Sequence, residues 1–250
     1  MPVSLFAANA NPNSFEVGGE ISHITYKEPG VMKEDGFMYG INGVFAHHKQ
    51  YMLKAEGRVS FGQVDYKNSG TLDNIDDFII EVRGLAGYDF MPNQQIRFTP
   101  YIGFATRYLS DAVGGKVTST GARGYDREST YLYSPLGIEI MRELRNMWSV
   151  GAALEYDIFW RGWQKSHLSD ASLGYNDLEN TQKNGYGLRA SLKCQKELGS
   201  VDLVLEPFIR YWNIKQSDTK AVTFTGVIIG YGYEPKNNST EYGLKIGMRF

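Results

Sequence analysis

Three residues of this chain, Asp65, His167 and Asp170, have the types and neighbours to activate water. General-base hydrolysis needs an imidazole that takes the proton, steadied by one carboxylate and faced by another across a cleft. His167 and Asp170 lie in Trp160-Arg-Gly-Trp163-Gln-Lys-Ser-His167-Leu-Ser-Asp170, and Asp65 lies far upstream in Val64-Asp65-Tyr66-Lys67. They could work together only if the fold brings both segments to one cleft; otherwise they are polar loop residues.

Other clusters carry less. Asp73-Asn-Ile-Asp76-Asp77 offers the oxygen ligands that hard cations take, but it has neither the glycine nor the spacing of a calcium loop. It reads as a solvated acidic loop. His47 and His48 are adjacent, so on a strand they point to opposite faces and make a poor metal pair. Gly114-Gly115 and Gly121 to Gly124 form a flexible loop with no Lys-Ser/Thr behind it, unlike a phosphate loop. Cys194, the one cysteine, shares an apolar face with Leu188, Ala190 and Leu192 and reads as a small hydrophobe. No metal and no cofactor is expected.

The elements that would position these residues are strands. The 250 residues are 42% hydrophobic, with 28 Gly and 17 Tyr, which suits one β-rich domain. A net charge of -2 shows no nucleic-acid footprint. No run approaches the ~18 apolar residues of a membrane helix. Period-two alternation marks about ten strands, near 14–27, 36–47, 50–66, 76–91, 94–109, 129–143, 147–164, 184–197, 201–216 and 240–250. Counting the apolar stretch Val222 to Tyr233 as barrel would raise the number to twelve. Short connections alternate with longer polar ones at 28–35, 67–75, 110–128, 165–183 and 217–239.

Each strand has one apolar and one polar face. Trp148, Val150, Leu154, Tyr156, Ile158 and Trp160 share a side, while Glu155, Asp157 and Arg161 take the other. Turned inward, the polar faces collect Glu56, Glu81, Glu139, Glu155, Asp157 and Glu206 against Arg58, Arg83, Arg189, Arg210, Lys245 and Arg249. Ten strands enclose little more than side chains can fill, so these charges should pair and close most of the lumen.

The last strand, Tyr242-Gly-Leu-Lys-Ile-Gly-Met-Arg-Phe250, alternates aromatic or aliphatic residues with glycine and basic residues. It resembles the closing strand of bacterial outer-membrane β-barrels. That resemblance implies an all-β, transmembrane, up-and-down antiparallel barrel in the outer membrane of a Gram-negative cell. It also implies long loops outside, both termini in the periplasm, and Tyr242 and Phe250 as part of the signal read by the barrel-insertion machinery. Expected partners are outer-membrane lipid or lipopolysaccharide, that machinery and an extracellular ligand, with no nucleic acid. Residues 1–12, with Ala8-Asn9-Ala10, read as a leader or signal remnant, and 13–250 as a single, monomeric barrel.

Strand number and the segment Trp160 to Asp170 also resemble the omptin family of outer-membrane endopeptidases. Asp65 would then stand at an acidic site and His167 with Asp170 at an Asp–His couple, in reversed order and altered spacing. Three functions stay open: loops that bind, adhere or build the cell surface; a narrow small-solute channel; and an omptin-like endopeptidase.

Overall fold

The computed structural model describes residues 11–250, so most of the expected leader lies outside the described residues. Fourteen strands follow in order: β1 (Asn13–Glu28), β2 (Met32–His48), β3 (Tyr51–Asn68), β4 (Gly70–Tyr88), β5 (Phe90–Asn93), β6 (Ile96–Ala112), β7 (Arg127–Glu143), β8 (Trp148–Ser166), β9 (Leu178–Gln182), β10 (Gly185–Glu197), β11 (Asp202–Ile214), β12 (Thr219–Phe224), β13 (Val227–Tyr233) and β14 (Asn237–Arg249). Ten of them close a ring in the order β1-β2-β3-β4-β6-β7-β8-β10-β11-β14, with β14 antiparallel to β1. The seam runs from Glu16↔Arg249 to Lys27↔Asn238, and Phe250 extends it by exchanging backbone bonds with Phe15 at 3.1 and 2.8 Å. The barrel has ten strands, not twelve, because Val222 to Tyr233 belongs to a separate two-stranded sheet.

The strands are longer than the alternation alone suggests. β4 and β8 run 19 residues each, while a membrane strand needs about nine to eleven. Two expected loops, 28–35 and 67–75, are therefore mostly strand. β1 turns into β2 across Gly30 at φ +81, and β3 into β4 across Gly70 at φ +95. Lys33, Asp35, Asp65 and Asp76 sit on the outer face of these extensions, above any apolar belt. Above that belt both faces meet water, so the period-two signal fades there.

Lower down, the two faces are inverted relative to a soluble barrel. Ile21, Ile41, Val82, Ile138, Leu154, Leu188 and Ile246 are exposed around the whole circumference. Glu20, Arg58, Glu81, Glu155, Asp157, Arg210 and Glu241 are buried inside. Soluble monomers rarely show apolar patches beyond a few hundred Å², and a complete belt requires lipid. Aromatic residues edge the belt at both ends. Phe15, Phe45, Tyr51, Trp148 and Phe250 lie at the short turns, and Phe37, Tyr39, Phe78, Trp160 and Tyr242 towards the long loops, as amphipathic rings favour the interfaces.

β8 departs from simple alternation. Pairing between β7 and β8 shifts between Leu132 and Tyr133, so Tyr133 faces Phe159 and Leu132 faces Arg161. This bulge leaves Trp160 and Arg161 both on the outside, correcting the expectation of Arg161 in the lumen. Its guanidinium lies 5.7 Å from the Trp163 ring.

Candidate functional site

Halfway along the lumen a lattice of buried charges crosses the barrel. Arg58 donates from Nε to Glu81 Oε2 at 2.9 Å and from Nη1 to Glu20 and Glu241, both at 3.0 Å. Arg210 reaches Glu241 at 3.0 Å and Glu20 at 3.2 Å. Arg189 donates to Glu81 Oε1 at 2.6 Å and to Asp157 at 2.7 Å, and Tyr133 OH donates to Glu81 at 2.6 Å. Arg83 pairs with Glu155 and, at 3.2 Å, with Glu56. Of the residues the alternation turns inward, Glu56, Arg58, Glu81, Arg83, Glu155, Asp157, Arg189 and Arg210 occupy this lattice. Glu241 was not among them, although stepping back one residue from outward-facing Tyr242 turns it inward.

Below the lattice a second tier joins Lys54 to Glu139 at 2.6 Å, Lys193 to Glu16 at 2.9 Å, Lys245 to Glu206 at 2.8 Å and Arg249 to Asp202 at 3.6 Å. A cavity of about 280 Å³ runs through this tier from the short-turn end. It stops at Arg58, Glu81, Arg189 and Arg210.

Above the lattice the lumen turns apolar, which alternation did not reveal. Tyr131, Tyr133, Phe159, Trp212 and Ile214 form one buried cluster, and Ile24, Met38, Val64, Ile75 and Ile79 another. On each strand the order repeats. Ile24 separates Glu20 from Glu28 on β1, and Ile79 separates Glu81 from Asp77 on β4. Lattice and apolar layer together fill the middle of the lumen with buried side chains.

Above the apolar layer, Arg127 stands among carboxylates. It donates to Glu28 at 3.2 Å, Glu34 at 2.7 Å and Asp111 at 2.8 Å. Glu234, in the connection before β14, accepts from Tyr26 OH at 3.1 Å. Burial and the nearby Glu28 carboxylate push Glu234 from 4.5 up to about 7, with Arg127 opposing. The folded protein therefore binds this proton more tightly than the unfolded chain. The resulting stability is full below pH 4.5 and lost as pH rises through about 7. Amide exchange of residues 215–236, corrected for its intrinsic rate, should accelerate between pH 5 and 8. Glu234→Gln should flatten that response, and an unchanged response in the variant would assign it to another group.

The three candidate catalytic residues do not meet. Asp65 points out of β3 and accepts Asn74 N at 3.1 Å. Asp170, in the one-turn helix Leu168–Asp170, accepts Asp126 N at 3.1 Å. His167 faces a carboxylate with each ring nitrogen, Glu128 at 2.8 Å and Asp177 at 3.4 Å. The imidazole thus links β7 to the loop after β8. β3, which carries Asp65, and β8, which leads into His167, are separated by β4, β6 and β7.

No protein-family profile and no curated protein matches this chain. Among solved structures it is similar to the translocator domain of the autotransporter NalP from Neisseria meningitidis, at 12% identity and a TM-score of 0.44 over 98% of this chain and 90% of that one. Neisserial surface protein A gives 11% and 0.38 over 94% and 95%. The outer membrane protein OprG from Pseudomonas aeruginosa gives 12% and 0.37 over 96% and 95%. Likenesses this loose carry no argument about activity; the closed ring and its inverted faces decide the class. The chain is a transmembrane β-barrel protein.

This transmembrane β-barrel carries, beyond its ring, a separate two-stranded sheet. β12 and β13 form a hairpin over Thr225 and Gly226, both at positive φ, as a tight two-residue turn demands. Its β12 side is tied down. Asn176 Oδ1 accepts Thr223 N at 2.6 Å, Thr225 N donates to Gly174 O at 2.7 Å, and the Phe224 ring meets Tyr175 at 5.2 Å. The far edge of β13 pairs with nothing among the described residues.

Proposed function

We propose that this protein is a non-conducting outer-membrane barrel that displays the β12–β13 hairpin outside the cell as an adhesive edge, with both termini in the periplasm. The carrying observation is β13 itself, Val-Ile-Ile-Gly-Tyr-Gly-Tyr, with Val227, Ile229 and Tyr231 exposed on a free edge. Proteins ordinarily blunt such edges with lysine, proline or a bulge; β13 has neither lysine nor proline, and its bulge at Ile229 leaves that apolar side chain exposed. An extended segment of another protein that adds as a third strand would satisfy its unpaired backbone and cover its side chains. The side-chain-filled lumen speaks against the channel, and the separation of Asp65 from His167 around the ring speaks against the endopeptidase.

The test is adhesion of vesicles carrying the protein to immobilised extracellular-matrix and host-surface proteins. Ile229→Lys, a charge on the free edge, should abolish adhesion while heat-modifiable gel migration stays unchanged. Equal adhesion by parent and variant would sink the reading. Planar bilayers should record no conductance steps, and stable steps from the parent protein would favour the channel instead.

A further inference from the structure

We infer that the loop-side mouth of the lumen binds a hard divalent cation, Ca²⁺ or Mg²⁺, between Asp77 and Asp111. The two aspartates are directly paired across β4 and β6, and both are buried. Like charges directly opposite one another destabilise a sheet, and these same strands avoid the conflict further down by pairing Glu81 with Arg107. Asp111 spends one oxygen on Arg127 and leaves Oδ1 buried without a hydrogen-bond partner. Asp77 is 7% exposed, and its Oδ1 also has no hydrogen-bond partner. A buried polar atom left unpaired is costly and calls for an explanation.

The surroundings point to a cation. Arg127 already serves Glu28, Glu34 and Asp111. The apolar layer stands between this mouth and the guanidinium of Arg58. A cavity of about 20 Å³ lies against Asp77, Asp111, Glu34 and Tyr26, enough for one water-sized sphere. Carboxylates supply the oxygen ligands that hard cations take. No three of these carboxylates yet converge on one point among the described residues. The ion therefore gathers Asp77 and Asp111 towards itself while Arg127 keeps Glu28 and Glu34. Asp76, which the chain places beside Asp77, turns outward and takes no part; it accepts Gln63 Nε2 at 2.9 Å instead.

Terbium tests the site on the intact protein in detergent, because Tyr26 lines the same cavity and can sensitise its emission. Saturable emission displaced by Ca²⁺ is expected. Asp77→Asn should weaken terbium binding about ten-fold or more, the scale on which disturbed ligands act, and Asp76→Asn should leave it unchanged. Absent emission from the parent, or equal binding by Asp77→Asn and the parent, overturns the site. Equal loss in the Asp76 and Asp77 variants would mean adventitious surface binding and overturns it too. Should Asp77→Asn fail to fold, the thermal transition of the parent decides. It should rise with Ca²⁺ relative to chelator, and no shift overturns the proposal. The adhesion reading does not enter this test.

Discussion

Arg58→Ala should lower barrel stability by about 3–5 kcal/mol, the cost of removing one partner from a buried ion pair. The guanidinium binds Glu20, Glu81 and Glu241 at once. Removing it leaves three carboxylates at one level of a narrow lumen. Arg210 still reaches Glu20 and Glu241, and Arg189 still reaches Glu81, so the loss stops short of unfolding. Urea unfolding in lipid vesicles measures it. Glu241→Gln added to Arg58→Ala should recover part of the loss, because one stranded charge disappears with it. A cost under ~1 kcal/mol, as for exposed pairs, would show that water already fills the lattice.

Leu154→Arg separates a lipid-facing residue from a water-facing one. Leu154 is 58% exposed, and in water a surface change of this kind stays within about 0.5 kcal/mol. It lies mid-strand on β8, flanked across the sheet by Ile138 and Ala190, far from either aromatic edge. In a bilayer an arginine near the midplane costs about 2–4 kcal/mol. Vesicle refolding at graded urea should show a loss of that size. Leu173→Arg, at a 97% exposed loop position beyond the belt, should show almost none. Equal, small effects at both positions would contradict the membrane register.

The sequence carried the register wherever lipid enforces it and lost it elsewhere. Trp148 to Ile158 alternate cleanly because every second residue must be apolar. The shift opposite Tyr133 then breaks the count, and nothing in Trp160-Arg161-Gly162 announces it. Above the belt, Lys33, Asp35 and Asp65 are polar on the outer face, so strand looked like loop. The cluster around Arg127 was illegible for the same reason. Glu28, Glu34, Arg127 and Glu234 all fell in or beside segments read as loops, and Asp77 read as part of a surface run. Only ring closure brings them together. The endopeptidase candidates show the converse, since residue types that could do chemistry are spent on backbone and ion-pair contacts at separate places on the rim.

The paired apolar clusters between lattice and mouth do more than fill space. They act as an apolar partition between the charges of the mouth and those of the lattice. Arg127 and the carboxylates around it therefore balance their charge locally, apart from the tier of Lys54, Lys193 and Lys245.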